Sequence, residues 1–110
     1  MEIKFLYLQG CPHTDAALAL LKSVLADLHV ADEPLLVEIT DESDAVANQF
    51  LGSPTILVDG KDVETSRKDD TPLYGCRIYK TLVGNQGIPS REMIVFAILK
   101  GHSEPTKGNH

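Results

Sequence analysis

The chain opens on an alternation of apolar side chains. From Glu2 to Leu8, Ile3, Phe5 and Tyr7 fall on one face of a strand and Leu6 and Leu8 on the other. Both faces are therefore apolar, as in a central strand covered on two sides. Gly10 ends the run. The period then changes: Ala17, Leu20, Leu21, Val24, Leu25 and Leu28 recur at helical spacing, the pattern of a core-facing stripe. Pro12 is expected in the first turn of this helix, where its fixed φ and missing N–H cost nothing.

Glu33-Pro34 breaks the helix and Leu35–Ile39 reads as a second strand. Strand, helix, strand makes a βαβ unit with parallel strands. Asp41 or Ser43 can cap a short second helix through Phe50, with Gly52 expected to stop it. Residues 53–58 and 61–64 are strand-like around Asp59-Gly60, a type I′ hairpin. Residues 65–88 are polar and broken by glycine and proline, with one apolar island from Leu73 to Tyr79. They are expected to form an insertion packed through that island, anchored by Tyr74 and Tyr79. Ser90 caps a last helix through Lys100, apolar at Ile94, Ala97 and Ile98 with Met93 and Phe96 beside them, and a polar tail, 101–110, is expected to be disordered. The whole reads as one α/β domain over residues 1–100, ordered β-α-β-α-β-β-α around a central mixed sheet, with the insertion before the last helix.

Composition narrows the function. A chain of 110 residues, 43% hydrophobic, suits a single soluble domain. A net charge of −6 excludes the basic surface that nucleic-acid binding requires. No apolar run reaches the roughly 20 residues of a membrane span, and Met1–Lys4 lacks the marks of a secretory signal. A cytoplasmic protein, monomeric or weakly dimeric, is expected, without nucleic-acid or membrane partners. Its two cysteines, Cys11 and Cys76, are too few for a disulfide scaffold in such a compartment, so each needs burial or reactivity to explain it.

Two motifs stand at telling places: Cys11-Pro12-His13-Thr14 after the first strand, and Ser53-Pro54-Thr55 before the hairpin. By these motifs and by element order over residues 2–64 and 89–100, the chain resembles the thioredoxin-like superfamily. That family carries Cys-x-x-Cys at the first place and a cis-proline at the second. The resemblance implies a thioredoxin-like fold, a cis Pro54, and an extended substrate adding as a strand beside it. Pro12, His13, Ser53 and Pro54 would then contact substrate. Two departures stand out. Thr14 replaces the second cysteine of the motif, which resembles the monothiol glutaredoxins, yet their Gly-Gly and Asp glutathione signature is absent after the hairpin. The insertion 65–88 is longer than the corresponding link in thioredoxin.

The chemistry follows from position. A thiol at a helix N-terminus meets unpaired N–H groups and the positive end of the macrodipole, both favouring thiolate. A protonated His13 would add a cation, and the Thr14 hydroxyl can donate to the sulfur. Cys11 is the candidate nucleophile in thiol–disulfide exchange, with a protein disulfide or a small-molecule thiol as partner. No cofactor is implied beyond glutathione as an external thiol. Cys76 has two open readings: a resolving cysteine, its thiolate favoured by Arg77, or a small buried hydrophobe. Two rival functions are a non-catalytic binding module that presents the Pro54 edge and the insertion to a protein, and a soft-metal carrier using Cys11 and Cys76, with His13 as a further soft ligand.

Overall fold

The structure is a computed structural model that describes residues 1–67 and 69–103. Its elements are β1 (Ile3–Tyr7), α1 (Thr14–Asp27), β2 (Leu35–Glu38), α2 (Glu42–Ala47), β3 (Thr55–Val58), β4 (Lys61–Asp62), β5 (Tyr79–Thr81), β6 (Gly84–Gln86) and α3 (Arg91–Ser103). The seven expected elements appear in the expected order, with the β5–β6 pair inside the insertion before the last helix. The α3 helix runs through Ser103, beyond the expected end at Lys100, so residues 101–103 belong to a helix and not to a tail. The rest of the expected tail, 104–110, lies outside the described residues.

The principal sheet has the order β2-β1-β3-β4. The β1 and β2 strands are parallel, with Phe5 opposite Leu36, while β3 runs antiparallel to β1 with Ile56 opposite Phe5. Alternation along β1 decides the layers. Ile3 and Phe5 join Ile56 and Val58 on the face covered by α1 and α3, where Ala17, Leu21, Val24, Ile94 and Ile98 are buried. Leu6 and Leu57 point the other way, against Ala45 of α2, Ile39 and Phe50. Each fully buried aliphatic of this kind contributes roughly 1.5–3 kcal/mol of transfer free energy.

Three boundaries have clear local causes. Both central residues of the β3–β4 turn have positive φ, Asp59 at 51° and Gly60 at 81°, which is the type I′ geometry. The side chain of Asp41 accepts from the Asp44 N–H at 2.8 Å, capping α2. That helix does not stop at Gly52. It ends in a left-handed Gln49 (φ 55°), after which Phe50 N–H bonds back to Ala45 O at 2.9 Å, a Schellman closure. Gly52 has another duty: at φ +109°, its missing Cβ would lie 2.8 Å from Arg77 Cβ and 3.1 Å from the Cys76 carbonyl oxygen. Glycine is needed there because the insertion lies directly on it.

The insertion is ordered by a buried ionic cluster. The Arg77 side chain is 0% exposed and its guanidinium reaches Asp62 at 2.7 and 2.8 Å, Glu64 at 3.3 Å and Thr55 Oγ1 at 3.1 Å. Burial opposes its charge, and the hydrogen bonds to Asp62 outweigh that, holding the guanidinium firmly protonated. It also sits 4.0 Å over the ring of Tyr79, which is fully buried and donates its hydroxyl to Pro54 O at 2.5 Å. Burial raises the Tyr79 pKa, so the phenol stays a donor. Beyond Tyr79 the chain forms the β5–β6 hairpin. Removing one partner of a buried pair leaves an uncompensated charge. Asp62→Ala is expected to cost about 3 kcal/mol or more in urea unfolding, whereas Asp70→Ala, at the exposed rim, is expected to cost less than about 1 kcal/mol.

Candidate functional site

The first turn of the site is made by sequence. Thr14 N–H bonds to Cys11 O at 3.3 Å, closing a turn over Pro12 and His13, and His13 (φ −99°, ψ −1°) is the residue preceding helix α1. Proline at the second position and that bridge conformation at the third define a type I turn. Pro12 therefore lies ahead of the helix rather than within its first turn, and the helix begins at Thr14. Cys11 is half-buried, while Pro12 and His13 are exposed.

The Cys11 sulfur faces residue 53, with Sγ 3.9 Å from Ser53 O. The Ser53–Pro54 peptide is cis. Burial pushes the Cys11 pKa up, but hydrogen bonding overturns it: the Ser53 hydroxyl, the His13 backbone and the Thr14 hydroxyl and backbone all favour the thiolate, leaving the pKa below its ordinary value. Hydroxyls and backbone N–H groups, not a histidine cation, lower it. Ser53 Oγ is held in place by accepting from Leu8 N–H at 3.0 Å, which leaves its own proton for the sulfur. Thr14 Oγ1 is buried with no hydrogen-bond partner among the described residues. Ionising the sulfur gives that hydroxyl an acceptor, which is how it lowers the pKa.

The expected substrate contacts divide. Ser53 and Pro54 are buried, and their backbone groups are already engaged by the insertion. Ser53 N–H donates to Gly75 O at 2.7 Å, and Ser53 and Cys76 form a parallel bridge. The strand expected to add beside Pro54 is thus supplied by the chain itself. Ser53 serves the thiol through its hydroxyl instead, a role the motif alone did not suggest. His13 stands against Gly87, where a Cβ would lie 2.5 Å from the imidazole.

Cys76 is exposed, which overturns the reading of it as a buried hydrophobe, and both cysteines are free. Its backbone lies beside Ser53, the residue that the Cys11 sulfur faces. Arg77 does not attend the Cys76 thiol, because its guanidinium is committed to Asp62 and Glu64. Those two carboxylates sit two residues apart on one edge, and that spacing was the available signal for a buried cation partner. Tyr74 and Tyr79 anchor the insertion as expected, Tyr74 through its hydroxyl to Thr40 O at 3.1 Å. Among the described residues, no group of three or more His, Cys, Asp and Glu is arranged to hold a metal ion, so Cys11, His13 and Cys76 do not form one. A cleft of about 660 Å³ lies elsewhere, lined by Leu57, Asp62, Asp70 and Lys100 among others and touching none of the site residues. No helix among the described residues is long and apolar enough to cross a membrane.

No protein-family model, curated protein or solved structure matches this chain.

The hydroxyl account is testable by alkylation. The half-point of the Cys11 alkylation rate against pH, read in a Cys76→Ser background, is expected below the roughly 8.5 of a free thiol. It is expected to rise in both Ser53→Ala and Thr14→Val, and a half-point unmoved by either would contradict the account. Because the folded pKa is the lower one, the thiolate's stabilisation is complete above the free-thiol pKa and is lost as pH falls through the folded value.

Proposed function

We propose that this chain is a thioredoxin-like thiol–disulfide redox protein, acting in the cytoplasm, with Cys11 as nucleophile and Cys76 as resolving thiol. The observation that carries the reading is convergence on Ser53. The sulfur of Cys11 faces it at 3.9 Å and the backbone of Cys76 is paired with it. The element order β-α-β-α-β-β-α outside the β5–β6 insertion, the cis Ser53–Pro54 peptide and the lowered Cys11 pKa support the same reading.

The reaction has two steps. The Cys11 thiolate attacks one sulfur of a disulfide, forming a mixed disulfide and releasing the other half as a thiolate. Cys76, giving its proton to solvent or to that thiolate, then attacks the Cys11 sulfur. The second half leaves, and a Cys11–Cys76 disulfide remains. The protein has lost two electrons and the substrate has gained them. Thr14 takes no part as a thiol; its hydroxyl steadies the attacking thiolate of Cys11. The rival binding module loses the Pro54 part of its expected surface, since Pro54 is buried and its carbonyl accepts from Tyr79, and keeps the exposed insertion.

One equivalent of an aromatic disulfide such as 5,5′-dithiobis(2-nitrobenzoate), added to reduced protein, is expected to release both of its thiol halves from wild type. The second release should be first-order and independent of protein concentration. Cys76→Ser should release one half and keep the other on Cys11. A wild-type adduct that persists on Cys11 would overturn the resolving role of Cys76.

A further inference from the structure

The surroundings of Cys11 are closed on the side where an extended chain would bind. Residues 75 and 76 run beside Ser53 and use its N–H. This strap is fastened at Leu73, whose N–H bonds to Phe50 O at 2.8 Å, and at Tyr74, bonded to Thr40 O at 3.1 Å. Below it, Arg77 is buried and Tyr79 holds the Pro54 carbonyl. On the opposite flank Gly87 abuts the His13 ring. What remains open is the half-buried sulfur itself, approached past exposed Gly10, Pro12 and His13.

From this we infer that the substrate is a low-molecular-weight disulfide rather than a disulfide within an extended polypeptide. The inference rests on the redox reading above and adds a selection by size. A peptide that adds as a strand gains its affinity from main-chain hydrogen bonds to an open edge. Here those groups are spent on Gly75 and Cys76, so a polypeptide brings bulk without compensation. A small disulfide needs only the sulfur. The Cys11 thiolate displaces one small thiolate, and Cys76 displaces the second, so that one small disulfide becomes two small thiols while the protein dithiol becomes a disulfide.

The test compares two disulfides with the same leaving group, 2-mercaptoethanol: bis(2-hydroxyethyl) disulfide, and an extended peptide whose single cysteine is capped with 2-mercaptoethanol. Rates of the reduced wild-type protein at about pH 6, where a free thiol is almost wholly protonated, are each divided by the rate of free cysteine with the same disulfide. The normalised rate for the peptide is expected to be lower by at least about tenfold, because its bulk meets the closed side and no backbone hydrogen bond offsets the clash. Tyr74→Phe, which frees the strap from Thr40, is expected to recover the peptide's first-step rate, the release of the first 2-mercaptoethanol, and to leave the first-step rate with the small disulfide unchanged. Equal normalised rates in wild type would overturn the size selection and leave the redox reading standing. Rates for both disulfides no faster than free cysteine would overturn the redox reading, and the inference with it.

Discussion

A guanidinium with no exposed surface must have its charge met inside the protein, and at Arg77 that requirement organises everything between β4 and α3. Its partners, Asp62 and Glu64, lie at the end of the β3–β4 hairpin, so meeting the charge draws the insertion down onto the sheet edge. Gly52 is bare because the incoming backbone passes within contact of it. Tyr79, under the guanidinium, completes the attachment by holding the Pro54 carbonyl. Charge satisfaction, close backbone approach and aromatic burial thus meet along residues 52–55, the segment that the Cys11 sulfur faces at Ser53.

The thiol inherits its environment from that attachment. Ser53 receives Gly75 and Cys76 along its backbone, keeps its hydroxyl toward Cys11 and is itself positioned through Leu8 at the end of β1. The stabilisation of the thiolate is dipolar, from two hydroxyls and the N–H groups at the head of α1. Dipoles of this sort need no counter-ion and are insensitive to the protonation of neighbouring groups, so the sulfur's state depends on fold integrity more than on surface charge. In the proposed reading Thr14 supplies a hydrogen bond to the sulfur where a second motif cysteine would stand, and the insertion supplies the second thiol.

Much of this was legible in the residues. The alternation of Ile3, Phe5 and Leu6 marked β1 and its two covered faces, the Ala17–Leu28 stripe marked α1, and Asp59-Gly60 marked the hairpin, because period and turn chemistry are local properties. The insertion was not, for a physical reason. Tyr79 was expected to anchor it, but the β5–β6 hairpin places Leu82 (100% exposed) and Val83 (83% exposed) at its tip, inverting the apolar-inside pattern. Arg77 was expected to favour the Cys76 thiolate, and its actual pairing with Asp62 and Glu64 is long-range. Gly52 likewise looked like a helix stop, when its true constraint comes from residues far along the chain. Local signals locate Cys11; only tertiary contacts bring the backbone of Cys76 to Ser53, the residue that the Cys11 sulfur faces.

The central claim is that the anchored insertion holds Cys76 ready for Cys11, and its most direct measure is the effective concentration of one thiol toward the other. This is obtained from the equilibrium of the Cys11–Cys76 disulfide with glutathione, in native protein and in urea. A flexible tether gives values of about millimolar order. The account predicts a native value above the unfolded one by at least about tenfold, as expected of pre-organised groups. A native value equal to or below that in urea would mean that the fold does not present Cys76 to Cys11, and would contradict the account.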